Sequence, residues 1–328
     1  MHRPGGGSGE MTFTSEEDHS TEEDKEEQDD EQYTTEERCQ PRANNGDEDL
    51  LAVLKRFRIN WTRSMSPYIG PVDATTNEEF GPMRYTESGP PRFGGIPYDA
   101  MEIFSFKLAQ IEGGLEWPLH VYGLVAVRDS IDYKRNILFH RAKDNSQVLT
   151  AEDPFLALTG PSRAIALIDP PEFEVELYAI GRIPSEEKVR TLRHTNKRLS
   201  TIELKFAHLH NPLEATIEIY HSGGTSNFHG RFFARMDYMD NDEVVLLDSQ
   251  ESKVTILPDG RILLSRRVVP VEEGDELRLG VKASQSRVGT DSVEHVAKFR
   301  AKILGKSDGE FNVGFCKMSV SVAWSVLV

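Results

Sequence analysis

The pattern that opens at Met101 returns about a hundred residues later, and this repeat constrains the chain more than any other feature. Phe104, Phe106 and Leu108 alternate with Ser105 and Lys107, the period-two pattern of a strand with one buried face. Ile202, Leu204 and Phe206 give the same alternation 98 residues on. That offset also pairs Leu115-Glu116 with Leu213-Glu214, Leu119 with Ile217 and Val121-Tyr122 with Ile219-Tyr220. A glycine-rich insert, Ser222-Gly223-Gly224-Thr225-Ser226, lengthens the second copy. Beyond it an offset of 107 pairs Gly123 with Gly230, Arg128 with Arg235 and Ile137-Leu138 with Val244-Val245. Each copy closes on a hairpin-like unit, over residues 164–180 and 262–283. A fixed offset with a shared Leu-Glu and Tyr indicates a tandem duplication, with Phe104, Phe106, Leu108, Leu115 and Tyr122 as the expected core of the first copy.

Strand-like runs joined by turns, with no long helical periodicity after residue 62, predict a mainly β body. The first choice is two tandem sandwich-like β units forming one body; one large sandwich is the alternative. The last segment fits either. Met318, Val320, Val322, Trp324 and Val326 alternate with small residues, which predicts a long strand with one buried face. Ahead of the body, Asp47, Glu48 and Asp49 precede an apolar face of Leu50, Val53, Leu54 and Phe57, with Lys55, Arg56 and Arg58 behind. Acid first and base last suits the helix dipole, so one short amphipathic helix is predicted. Trp61 extends its face and should pack on the β body. The organisation predicted is a disordered acidic tail over 1–47, a helix and Pro/Gly-rich connector over 48–98, a first β unit over 99–181, a basic linker over 182–198 and a second β unit over 199–328.

Charge is unevenly placed. The net charge is −16, and the first 50 residues hold 17 of the 54 acidic groups but only 4 of the 38 basic ones. Such a stretch cannot bury enough apolar surface to offset its ordering entropy, hence the expected disorder. A polyanionic arm on a nearly balanced body argues against nucleic acid or an anionic membrane as the main partner. Ser15 and Thr21 sit in acidic contexts that suit an acid-directed kinase, though a solvating tail explains the same residues. The two cysteines, Cys39 and Cys316, read as free thiols in a reducing compartment. With no signal-like segment and no run of membrane-spanning length, the expectation is a cytoplasmic or nuclear protein, neither secreted nor membrane-bound. Asn60-Trp61-Thr62 then reads as a coincidental sequon.

Searching for chemistry yields little. Gly-x-Ser-x-Gly is absent, and Gly305-Lys306-Ser307 lacks the first glycine of a phosphate loop. His208 and His210 would face one side of a strand and could share a zinc ion, but no cysteine or nearby carboxylate completes a site, and His221 and His229 add nothing. Asp129 and Asp132, and then Asp237, Asp240 and Asp242, fall at strand-end loops of the two copies. Clustered carboxylates of this kind can hold calcium. Turn chemistry explains them more simply, with Lys134 and Arg135 crowding the first loop. Thr159-Gly160-Pro161-Ser162-Arg163 is a compact turn whose N–H groups and Arg163 could bind an anion. No catalytic residue, metal ligand or cofactor is assigned.

Five separated motifs give the chain a family resemblance. They are Met101-Glu102-Ile103-Phe104-Ser105-Phe106-Lys107, Gly123-Leu124-Val125-Ala126-Val127-Arg128-Asp129-Ser130, Leu156-Ala157-Leu158-Thr159-Gly160-Pro161, Leu263-Leu264-Ser265-Arg266-Arg267-Val268-Val269 and Val313-Gly314-Phe315-Cys316-Lys317-Met318. Over residues 99–328 the sequence resembles a plant domain of unknown function expanded in grasses. The resemblance implies a β-rich domain, and a link to plant stress or defence. Some relatives carry the domain after a ribosome-inactivating rRNA N-glycosylase domain. That chemistry needs a helical Glu-x-x-Arg with aromatic stacking residues. Glu187-Lys188-Val189-Arg190 has the spacing, but it lies in the basic linker without aromatic neighbours, so the activity does not carry over.

The first functional reading is therefore a non-catalytic module that binds a protein partner, modulated by its acidic arm. A ribosome- or RNA-associated domain without the catalytic site is the second, and a calcium-dependent binding module is the third. Partner identity and oligomeric state are open at this point.

Overall fold

The structure is a computed structural model that describes residues 8–11, 46–76, 80–90, 98–111, 115–183, 186–192, 200–236, 242–250, 252–285 and 291–327. The chain is mainly β, with four sheets arranged as two two-sheet units. The first unit uses β2 (Ala100–Ile111), β3 (Glu116–Arg128), β4 (Asn136–Arg141), β5 (Gln147–Leu149), β6 (Ile165–Ala166), β7 (Glu172–Ile183), β8 (Glu186–Leu192) and β9 (Ser200–Leu209). β1 (Ser8–Met11) adds to its edge. One sheet runs β1-β9-β2-β6; the other runs β4-β3-β7-β8, with β5 on β3. Between them lie Met101, Ile103, Phe106 and Leu108 of β2, Ile202 and Leu204 of β9, and Leu119, Val121, Val125 and Val127 of β3. Each such side chain contributes about 1.5–3 kcal/mol by leaving water.

The second unit uses β10 (Pro212–Gly224), β11 (His229–Arg235), β12 (Val244–Asp248), β13 (Val268–Glu272), β14 (Glu276–Ser284), β15 (Val293–Arg300), β16 (Gly305–Asn312) and β17 (Cys316–Ser325). Its sheets run β13-β10-β17-β16 and β12-β11-β14-β15. The C-terminal strand behaves as its alternation requires: Met318, Val320, Val322 and Trp324 are buried in this core.

Hydrogen-bond register shows how the units correspond. The β3–β4 pair is bulged at Val125/Ala126 and the β11–β12 pair at Phe232/Phe233, positions 107 residues apart. The 98-residue offset is not an equivalence. β2 and β9 are antiparallel neighbours, with Phe106 opposite Leu204. The counterpart of β2 is β10: Met101 faces Ile165 of β6 as Leu213 faces Val271 of β13. Any strand on a core shows period-two alternation, so the pattern alone does not separate a neighbour from an equivalent. Of the expected first core, Phe106, Leu108 and Leu115 are buried in it. Phe104 points the other way and packs on the second core, while Tyr122 stacks on Tyr178 with ring centroids 5.3 Å apart.

The residues ahead of the body fasten onto it. The helix α1 (Gly46–Ser64) is followed by a short α2 (Ser66–Ile69). Trp61 is buried; its indole N–H donates to Gly70 O at 2.9 Å, and the Arg128 guanidinium lies 4.5 Å from its ring centroid. The side chains of Leu50, Val53 and Leu54 lie outside the described residues. The Pro/Gly connector then straps the two units. It exchanges backbone hydrogen bonds between Ala74, Thr76 and Arg135 of the first. Further on, Tyr85 N–H donates to Ser325 of the second at 3.0 Å. Most of the 1–47 tail lies outside the described residues, and within it β1 is paired with β9. The stretch assigned to the basic linker has strand backbone over β8, paired with β7. No helix among the described residues is long and apolar enough to cross a membrane.

Candidate functional site

The aspartates considered for calcium already surround a cation of the chain itself. Asp129 and Asp132 follow β3 in a tight loop, where Ile131 N–H and Lys134 N–H donate back to their carboxylates. Arg163 arrives from the segment before β6. Its guanidinium donates to both Asp129 oxygens at 2.6 Å and to Asp132 Oδ1 at 3.1 Å, with all three side chains buried. Burial opposes the Arg163 charge, but Asp129 and Asp132 outweigh it and raise the guanidinium pKa. A guanidinium fills the place a calcium ion would take, so neither aspartate is available without breaking a buried pair. The same contacts remove Arg163 from the anion-binding role considered for its turn. Asp242 pairs with Lys205 at 2.7 Å, while Asp237 and Asp240 lie outside the described residues. Arg135, expected to crowd this loop, is held instead with Arg128 on Glu174.

A second buried set lies in the seam between the units. Glu102 of β2 accepts a hydrogen bond from Arg266 at 2.7 Å. Complete burial pushes its pKa up to about 7, against the opposing charge of Arg266. Glu214 of β10 accepts from Ala164 N–H at 2.8 Å and Met83 N–H at 3.2 Å. Burial raises its pKa too, opposed by those N–H groups and by Arg163 and Arg267. These buried carboxylates join the units.

The concave surface at this seam is a cleft of about 320 Å³ between the 159–162 turn of the first unit and the 261–267 segment of the second. Local bonding fixes the turn. Thr159 N–H donates to Leu138 O at 2.8 Å, and Ser162 donates to Asn136 Oδ1 through its N–H and hydroxyl. Gly160 is obligatory, because a Cβ there would stand 1.8 Å from Ile137 O. Pro161, Ile217 and Leu263 supply apolar lining, and Leu263 is 52% exposed. At the wall, Arg261 has Asp259 and Glu218 at 3.7 and 3.9 Å. Arg267 is exposed and makes no ion pair among the described residues.

The histidines gain a partner that sequence reasoning missed. β9 ends at Leu209, and Ala100 faces Leu209 in the ladder, so Asp99 comes beside His210. Asp99 Oδ2 lies 2.8 Å from His208 Nε2 and 3.1 Å from His210 Nδ1. Burial works to raise the Asp99 pKa, but the His208 hydrogen bond, the His210 charge and Asn211 N–H bring it below the usual value. No linear signal exposes this contact, since 109 residues separate Asp99 from His208. The other two histidines serve local structure: His221 bonds Thr225 O, and His229 bonds Ser252 O. Glu187-Lys188-Val189-Arg190 lies on a β strand, not on the helix that the N-glycosylase arrangement needs.

Comparison with protein families matches residues 100–322 to the model described as Domain of unknown function (DUF6598). Comparison with curated proteins gives no match. Among solved structures the chain is similar to human GIVD cytosolic phospholipase A2, with 8% identity and a TM-score of 0.25 over 71% of this chain and 31% of that one. It thus spans about a third of the phospholipase chain. It is also similar to the paired C2 domains of Extended-Synaptotagmin 2, with 9% identity and a TM-score of 0.22 over 73% of this chain and 96% of that one.

Proposed function

Because the chain belongs to the DUF6598 family, which is defined by a domain of unknown function and not by a reaction, its role has to be argued from its own surface, and we propose a non-catalytic interaction module whose seam cleft binds an acidic segment of a protein partner. The observation that carries this reading is Arg267, a cation without an ion pair among the described residues, set in a concave cleft beside exposed Leu263. An apolar anchor next to a guanidinium suits an extended segment that presents a carboxylate beside an aliphatic side chain. The volume lies at the small end of ligand clefts, enough for one or two side chains. The buried acids support a non-catalytic role. Asp129, Asp132 and Glu174 are engaged by arginine and Glu214 by backbone N–H groups, while Glu102, paired with Arg266, is fully buried away from the cleft surface. The acidic tail is a competitor built into the chain, and it would restrict the cleft to partners that outbid it.

Fluorescence polarisation with labelled acidic peptides containing leucine or valine tests this reading. Saturable binding that weakens with salt, and weakens at least about tenfold in Arg267→Glu and Leu263→Asp, is the expected result. Equal binding by wild type and both variants removes the cleft from the account. A ribosomal RNA hairpin that binds more tightly than any peptide, and depends on Arg267, favours the ribosome-associated reading instead.

A further inference from the structure

We propose that Asp99, His208 and His210 bind one divalent transition-metal ion, with zinc as the ion their donors suit. The site does not depend on the cleft and stands or falls separately from it. The three donor atoms, His208 Nε2, His210 Nδ1 and Asp99 Oδ2, lie within 4.8 Å of one another. The two contacts to Asp99 measure 2.8 and 3.1 Å. Tetrahedral zinc, with bonds of about 2.0–2.2 Å, spaces its ligand atoms by roughly 3.3 Å. Entry of the ion therefore asks the two contacts to Asp99 to open by a few tenths of an ångström, with the two ring nitrogens, within 4.8 Å of each other, settling to the same spacing by small side-chain rotations. Two imidazoles and one carboxylate suit zinc and its neighbours in the transition series, whereas calcium prefers an all-oxygen set. The fourth position faces solvent, since His208 and His210 are both exposed.

The backbone holds these donors from several directions. His208 and His210 are two residues apart at the end of an extended run, so their rings project to one side; the centroids are 4.7 Å apart. The β2–β9 ladder brings Asp99 beside them. Leu167 N–H donates to Asp99 O at 2.8 Å, and His210 N–H donates to Glu272 Oε1 at 2.8 Å. Asn211, the next residue, has φ +48° and turns the chain into β10. The site thus sits at the crossing point from the first unit to the second. A bound ion would tie the start of β2 to that crossing and stabilise the folded state by binding it alone.

The test uses the full chain, stripped with EDTA and titrated with Zn²⁺ by calorimetry, with Co²⁺ as a spectroscopic substitute. Wild type should take up one Zn²⁺ at this site, melt at a higher temperature with zinc, and give visible Co²⁺ bands of low-symmetry coordination. Asp99→Asn, His208→Ala and His210→Ala should each weaken Zn²⁺ binding at least about tenfold. His221→Ala should bind as wild type does. Metal-free melting curves and far-UV dichroism show whether each variant folds. His210→Asn, at an exposed turn position, supplies a second variant if one of the others does not. Zn²⁺ affinity unchanged in folded His210 variants, an equal loss in His221→Ala, or the absence of saturable binding in wild type would each overturn the proposal.

Discussion

Glu102 and Glu214 occupy the same position in the two β units, and each carboxylate leaves its own unit to bond the other. Their strands are matched by register, Met101 on Ile165 and Leu213 on Val271. Glu102 meets Arg266 of the second unit, and Glu214 meets Ala164 of the first. The two units thereby share one device, once as an ion pair and once as a carboxylate on backbone N–H groups.

The ion-pair version should be the fragile one. Glu102→Ala leaves the Arg266 guanidinium buried with no acidic partner, which costs about 3–5 kcal/mol. Glu102→Leu with Arg266→Met removes both charges and should recover most of that loss. Urea unfolding measures both, and a single-variant loss below about 1 kcal/mol would mean that water reaches the guanidinium.

Stability should respond to pH through these acids with opposite signs. The Glu102 pKa stands at about 7 in the fold against the ordinary 4.5. The folded state therefore holds its proton more tightly than the unfolded chain does. Its contribution is full below about pH 4.5 and is lost as pH rises through 7. For Glu174, burial works to raise the pKa, but Arg135 and Arg128 win and lower it. That contribution is present above pH 4.5 and is lost as pH falls through its folded value. Unfolding curves across pH 4–8 should show Glu102→Gln flattening the decline toward neutral pH and Glu174→Gln flattening the decline toward acid.

Calcium should leave the melting temperature unchanged, since Arg163 holds both Asp129 oxygens. Asp129→Ala should destabilise by about 2–3 kcal/mol, because Arg163 loses two charged hydrogen bonds but keeps Asp132 as its partner. A rise in melting temperature with millimolar calcium that Asp129→Ala abolishes would show that Arg163 can be displaced.

Trp61→Ala should release α1 from the body. The indole packs under Arg128 and bonds Gly70, so truncation costs about 3–5 kcal/mol locally. Limited proteolysis reads this directly: new cuts between residues 52 and 70, with the β body intact.

Gly160→Ala should damage the cleft without dissolving the body. The new methyl group has to displace Ile137 O, and with it the 159–162 wall. Peptide binding should fall while the far-UV spectrum stays that of the wild type.

Much of this fold is legible in the sequence because strands on a core have to alternate. Phe106, Leu108, Met318, Val322 and Trp324 are buried where their period-two patterns place them. Trp61 follows as well, an aromatic at the end of an apolar helix face that packs on the body. Alternation gives a face, however, and not a partner. For that reason β9 reads as a copy of β2 when it is its neighbour, and Phe104 reads as first-core when it packs across the seam. The charged residues are less legible. Asp129 and Asp132 have the spacing of a cation loop, and the cation is Arg163, brought from 34 residues away. Asp99 lies 109 residues from His208 and is invisible as its partner in the linear chain.

The sequence by itself determined the mainly β class, the C-terminal strand and the helix that docks through Trp61. These follow from local periodicity and hydrophobic burial, which are written along the chain. Only the tertiary structure decided which strands pair, which buried charges meet, and that Asp99 joins His208 and His210. Those depend on contacts between residues tens to more than a hundred positions apart, and the selectivity of charge for charge acts through space once burial has drawn the strands together.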